Sequence, residues 1–150
     1  MSTEETRTRP DWHYVQSAVI PYRQRRGGIE VLLITSRKRK RWVLPKGIRE
    51  PYLSPAESAA KEAMEEAGVA GRVSAGPVGR YEYRKWGGTC SVEVFTMQVE
   101  RVHDRWPEEF RERSWLTPEE AAARVEEAEL GQLLRAAARR IESTLADSPK

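Results

Sequence analysis

The stretch LPKGIREPYLSPAESAAKEAMEEAGV, residues 44–69, decides how the chain folds. Gly47 lies in a loop that leads into a helix carrying Glu62, Glu65 and Glu66. Ser54 is a good N-cap, Pro55 suits the first helical position, and Glu57 three residues after the cap completes a capping box. Gly68 predicts the stop, because glycine takes the left-handed conformation of a C-cap. At about 100° per residue, Glu62, Glu65 and Glu66 share an arc of roughly 100°, with Ser58 and Ala59 nearby. Ala56, Ala60, Ala63, Met64 and Ala67 then face a core. Three carboxylates on one arc repel, and the i,i+4 pair Glu62/Glu66 weakens the helix by a few tenths of a kcal/mol. From residue types alone, the run is either a solvated acidic face or a seat for a hard divalent cation such as Mg²⁺ or Mn²⁺.

The flanking residues favour the cation. Gly47, followed at matching spacing by Lys61-Glu62-Ala63-Met64-Glu65-Glu66-Ala67-Gly68-Val69, resembles the Nudix box. That box is a glycine, five residues, a glutamate, seven residues, then Arg-Glu-aliphatic-x-Glu-Glu-x-Gly-aliphatic. Leu53 stands where the first glutamate belongs, and Lys61 where the arginine belongs. In the family those two side chains commonly brace the loop against the helix, so this chain needs another brace. Lys61 is expected to pair with Glu57 or Glu65, and Glu57 reads as a cap and not a ligand. The resemblance implies Glu62, Glu65 and Glu66 as catalytic metal ligands, with the Gly47 carbonyl as an extra one. It covers about residues 14–142 and implies an α/β/α sandwich with a mixed sheet.

Working outward, the 150 residues are enough for one domain with a real core. Charged residues make up 33% and hydrophobic ones 39%, as in a small globular protein. The net charge of +3 is mild, so where the charge lies matters more than its sum. Cys90 is the only cysteine, which excludes an intrachain disulfide and favours a cytoplasmic home. MSTEETRTRP does not read as a signal peptide, and no apolar run is long enough for a membrane span. A single domain over residues 12–145 is expected, with disordered tails at 1–11 and 146–150.

Strands are expected at Val15–Tyr22 and Ile29–Thr35, joined at Gly27-Gly28 into a hairpin. Arg72–Arg84 reads as broken extended chain. It is followed by a turn at Lys85–Gly88 and an alternating strand, Thr89–Val99, so the two form a second hairpin. Glu100–Glu109 reads as a polar loop and Phe110–Leu116 as a short strand. A capped helix starts at Thr117, and an amphipathic one runs over Leu130–Leu145. Strands and helices in this order give an α/β layered domain.

The run Arg37–Arg41 (RKRKR) can be a solvated loop, a nucleic-acid patch, or one wall of a polyphosphate site. The third reading is preferred, because the run borders the Gly47 loop, and Lys and Arg neutralise phosphate oxygens that a metal does not. Within the family, the chain is similar to diphosphoinositol polyphosphate and diadenosine polyphosphate hydrolases. Glu50-Pro51, the stretch SAVIPYR, Arg41-Trp42 and Arg111–Trp115 carry that likeness. It implies Arg23, Arg37, Arg41, Arg84, Lys85 and Arg111 as phosphate contacts. Pro45-Lys46-Gly47 departs from the three glycines common there, is similar to asymmetric diadenosine tetraphosphate hydrolases, and adds Lys46 as a further contact. The implied chemistry is Mg²⁺-assisted hydrolysis of a phosphoanhydride in a small polyphosphate, by a monomer or a dimer. Glu93, Glu108 and Glu109 are further acid–base candidates. Trp42, Tyr83, Trp86 and Trp106 are candidates to line a base pocket, and a nucleotide- or RNA-binding module on the same fold is the competing class.

Overall fold

The computed structural model describes residues 12–85 and 87–147. The expected tails, apart from Ala146 and Asp147, and the role considered for Trp86 lie outside those residues. Eight strands form one mixed sheet: β1 (Trp12–Arg25), β2 (Gly28–Thr35), β3 (Trp42–Val43), β4 (Lys46–Ile48), β5 (Val69–Val73), β6 (Gly79–Lys85), β7 (Gly88–Val102) and β8 (Arg113–Leu116). The order is β3-β2-β1-β7-β5, with β4 also on β1, β6 on β7 and β8 on β2. The long central strands β1 and β7 run parallel, from Trp12 opposite Gly88 to Tyr22 opposite Gln98. All other pairings are antiparallel.

Helices cover both faces. On one side lies α1 (Pro55–Glu62), continued by a single π-turn over Ala63–Ala67. On the other lie α2 (Pro118–Arg124) and α3 (Ala128–Asp147). Val19, Leu32, Ile34, Phe95 and Met97 pack on Ala59, Ala63 and Ala67 beneath α1. Ala18, Ile20, Leu33, Val92 and Val94 pack on Leu130, Leu134 and Ala138 of α3. Both faces of β1 and β7 are therefore buried, and the expected α/β/α sandwich is what forms.

Several boundaries move. β3 and β4 form inside a stretch read as loop, because Trp42 and Val43 pair with Thr35 and Ile34 of β2, and Gly47 and its neighbours pair with Gln16–Ala18 of β1. β7 runs on to Val102, and β8 begins only at Arg113, so Arg111 sits in the preceding turn. Residues 146 and 147, expected in a tail, are the last of α3. Ser58 and Ala59, placed beside the acidic arc, are buried against the sheet.

Candidate active site

The capping box at the start of α1 forms as the sequence predicts. Ser54 Oγ accepts from the Glu57 amide at 3.1 Å, and Glu57 Oε1 accepts from the Ser54 amide at 2.8 Å. Glu57 is thereby used as a cap. Lys61 instead bonds Glu65 at 2.8 Å and Glu50 at 3.2 Å. Glu50 also presents its amide to Ser58 Oγ at 3.4 Å. The brace between loop and helix is rebuilt on Glu50, three positions before Leu53.

The π-turn carries Glu65 and Glu66, and Glu62 stands at its start. Helix ends leave carbonyls without partners. Here the 103–113 segment supplies them. The Glu108 amide donates to Glu65 O at 2.9 Å, Trp106 Nε1 to Glu66 O at 3.0 Å, and Arg113 Nη1 to Ala67 O at 3.1 Å. Gly68 closes the turn at φ 68°, and a Cβ there would lie 2.7 Å from the Trp106 ring. The Arg113 guanidinium covers that ring at 3.8 Å. Trp106 is thus a clamp on the acidic helix and not part of a base pocket.

Glu62 and Glu66 turn toward β4. A Cβ at Gly47 would overlap the Glu62 carboxylate, so only glycine lets that group approach the strand. Glu66 Oε1 accepts from the Lys46 amide at 3.1 Å, and its side chain is only 13% exposed. The two carboxyl groups are close enough to hydrogen-bond each other. Burial pushes Glu66 up to about 7, against the opposing pull of Arg111, and burial also raises Glu62. Glu65 is elsewhere, held by Lys61. Among the described residues no three carboxylate, histidine or cysteine groups stand assembled as a metal cage.

A hard divalent cation fits this arrangement. Its donors would be the Glu62 and Glu66 oxygens and the Gly47 carbonyl, which has a second lone pair beyond its sheet bond. Glu65 would join on leaving Lys61.

Beside the carboxylates is a cleft of about 330 Å³, lined by Arg37, Arg41, Lys46, Gly47, Glu66, Tyr83, Lys85 and Arg111 among others. The RKRKR run is a tight turn on Ser36, whose Oγ accepts from the Lys40 and Arg41 amides at 3.2 Å each. That turn aims Arg37 and Arg41 at the cleft and leaves residues 38–40 exposed. Lys46 lies 5.5 Å from the centre of the Tyr83 ring, and burial lowers its ammonium pKa. Tyr83 donates to Gln16 Oε1 at 2.7 Å. Arg41 meets Glu126 at 3.3 Å and Glu127 at 4.0 Å, on the α2–α3 corner.

Two expected contacts lie outside the cleft. Arg23 is six residues along β1 from Ser17, the partner of Gly47, which is about 20 Å of strand. It bonds Glu30 at 2.8 Å and covers Trp115 at 4.1 Å. Arg84 is exposed and bonds Thr89 at 2.9 Å. Trp42 packs against the α3-side core, and Glu93 is held by Arg49 and Arg80 on the α1 side of the sheet. The group that sequence reading missed as a support is Glu108, which holds the buried Arg111 at 2.8 Å beside Glu66.

The Glu66 shift gives a signed prediction. A folded-state pKa of about 7, against the ordinary 4.5, means the folded form holds a proton there that the unfolded form has lost. Stability in EDTA should therefore fall as pH rises from about 4.5 to 7 and level off above. The ceiling is about 3 kcal/mol at 1.36 kcal/mol per unit. Thermal melts across that range, beside Glu66→Gln, check it. An equal slope in both proteins would remove Glu66 as the cause.

Comparisons with known proteins bear on the family and the fold. A family model described as the NUDIX domain matches residues 13–140. Nudix hydrolase 13, mitochondrial, of Arabidopsis thaliana is 38% identical over 104 residues, 62% of this chain and 52% of that protein. Nudix hydrolase 21, chloroplastic, of the same plant is 38% identical over 109 residues, covering 68% of this chain and 54% of that one. This chain spans about half the length of those two plant proteins. Diphosphoinositol polyphosphate phosphohydrolase 3-beta of Bos taurus is 29% identical over 121 residues, 78% of this chain and 73% of that one. Among solved structures, a C. elegans Ap4A hydrolase binary complex superposes with a TM-score of 0.71 at 24% identity, over 90% of this chain and 99% of that one. It shares the fold.

Proposed function

The chain belongs to the Nudix family across residues 13–140, and from that membership we propose that it is a hydrolase cleaving a phosphoanhydride bond in a small polyphosphate. The observation that carries this reading is the half-buried Glu62/Glu66 pair against Gly47, beside a cleft walled by Arg37, Arg41, Lys46 and Lys85. Glu62, Glu66 and the Gly47 carbonyl would hold Mg²⁺ or Mn²⁺, with Glu65 joining them. Such an ion lowers the pKa of a bound water and offsets charge on a phosphoryl oxygen.

The remaining roles fall to the chain itself. Arg37, Arg41, Lys46 and Lys85 bind and orient the phosphates by charge-assisted hydrogen bonds. Lys46 links the two halves, since its amide fixes Glu66 while its ammonium enters the cleft. Arg111, held by Glu108 and the Thr35 carbonyl, fixes the Glu66 side of the wall. Glu62 and Glu66 are the carboxylates placed to take a proton from an attacking water. Substrates of the diphosphoinositol or diadenosine polyphosphate type suit the number of cations and agree with the names of two similar proteins. A cytoplasmic setting suits the single, buried Cys90. No described helix is long and apolar enough to cross a membrane.

One observation favours a second reading, a nucleotide- or RNA-binding module. Glu65 is held by Lys61, which leaves two carboxylates facing Gly47. A phosphate-release assay with and without Mg²⁺ separates the two. Its panel is diadenosine polyphosphates, diphosphoinositol phosphates, ADP-ribose, nucleoside triphosphates and capped RNA. Mg²⁺-dependent turnover of one member is expected and names the substrate. Binding with no turnover of any member would put the module in its place.

A further inference from the structure

Ser17 Oγ is the side-chain polar atom that, among the described residues, is buried without a hydrogen-bond partner. Its residue is 0% exposed, in the middle of the central strand β1. Buried hydroxyls almost always find a partner, so a lone one calls for a reason.

Its position supplies one. Ser17 stands directly opposite Gly47 of β4 on one side and Glu93 of β7 on the other. Directly opposed residues present their side chains to the same face of a sheet. That face is the α1 side, because Val19, two residues along, packs with Ala59 and Ala63. On it, the space where Gly47 lacks a side chain is filled by the Glu62 carboxylate. The hydroxyl and the carboxylate therefore lie at neighbouring positions on the same face, under α1. The far neighbour is already engaged, with Glu93 meeting Arg49 at 3.5 Å and Arg80 at 3.6 Å.

We infer that Ser17 is a positioning residue for the cation site, its hydroxyl donating to Glu62 when that carboxylate is turned to a metal ion. The inference rests on the hydrolase reading above. In the structure the Glu62 carboxylate lies against Gly47, the residue directly opposite Ser17. A carboxylate that gives one oxygen to a cation still presents the other, which needs a donor. Ser17 carries a donor with nothing else to bond. An O–H to carboxylate bond is among the stronger hydrogen bonds, and groups that orient a metal's ligands typically change its affinity 10- to 100-fold.

The test reads metal binding directly, without turnover. Mn²⁺ affinity is measured by electron paramagnetic resonance for the wild type, Ser17→Ala and Ser17→Cys, and each is melted with and without Mg²⁺. Both variants should bind Mn²⁺ about tenfold more weakly and lose part of the Mg²⁺-induced rise in Tm. Their metal-free Tm should stay level or rise, because an unpartnered buried hydroxyl has been removed. A merely structural serine would lower the metal-free Tm and leave Mn²⁺ affinity alone. Wild-type affinity in either variant overturns the inference while the hydrolase reading stands. Absence of Mn²⁺ binding by the wild type overturns both.

Discussion

Replacing Glu66 by glutamine is expected to lower Mg²⁺-dependent turnover about a thousandfold, the scale at which a positioned acid–base or charge-stabilising group acts. The same change should make the metal-free protein more stable at pH 8. Glutamine keeps the shape and can still accept from the Lys46 amide, as Glu66 does at 3.1 Å. It removes one charge from a like-charged pair that burial already pushes toward the protonated form. Melting in EDTA should thus show a higher Tm for Glu66→Gln at pH 8, and adding Mg²⁺ should raise the wild type but barely move the variant. The two effects share a cause: the folded chain holds two partly buried carboxylates together that only a cation reconciles. Turnover within threefold of wild type would mean that Glu66 is neither ligand nor base.

The local chemistry of the acidic stretch was legible because it is short-range. Ser54, Pro55 and Glu57 specify the helix start among themselves, and Gly68 specifies its end. The facing of α3 was equally plain, since Leu130, Leu134, Ala137 and Ala138 follow the helical period and are all buried. The π-turn had no such marker. Nothing in Ala-Met-Glu-Glu-Ala opposes an ordinary α-turn. The groups that satisfy its carbonyls come from far along the chain, Trp106 being 40 residues from Glu66. Nor could the parallel pairing of β1 with β7 be read from either strand, because both faces of each are buried and the alternation along Thr89–Val99 does not say which strand lies beside it.

Within the site, what a residue could do was more legible than where it goes. Arg23 and Arg111 are both cations near family-like stretches. Their fates depend on register: Arg23 lies far up β1 with Glu30 and Trp115, whereas Arg111 is folded into the wall beside Glu66. The substitutions at Leu53 and Lys61 announced a changed brace, but not that Glu50 would supply its carboxylate. That pairing depends on how the 48–53 loop turns, with the Leu53 amide bonding Glu50 O at 3.1 Å. Ser17 was invisible for the opposite reason. A serine inside an apolar strand carries no signal until its neighbours across β4 and β7 are known.

Arg111→Met should cost about 3–5 kcal/mol of stability, as removal of one member of a buried ion pair does. Arg111 is 8% exposed. Its guanidinium meets Glu108 Oε1 through Nε at 3.0 Å and Nη2 at 2.8 Å, and the Thr35 carbonyl through Nη1 at 2.9 Å. Nη2 also stands 3.8 Å from Glu66. Methionine fills much of the volume but leaves two carboxylates and a carbonyl facing apolar atoms. Without the cation, Glu66 is driven further toward protonation, because Arg111 is the largest influence holding its pKa down. The loss should therefore be largest near pH 8 and shrink toward pH 5, where Glu66 is protonated in either protein. At pH 8 a Tm drop of roughly 10 °C is expected for a domain of this size. A phosphate-binding role alone predicts another pattern: an unchanged Tm at both pH values and a raised KM. Finding that pattern would move Arg111 from the frame of the site into its substrate contacts, and would leave Glu66 braced by the Lys46 amide alone.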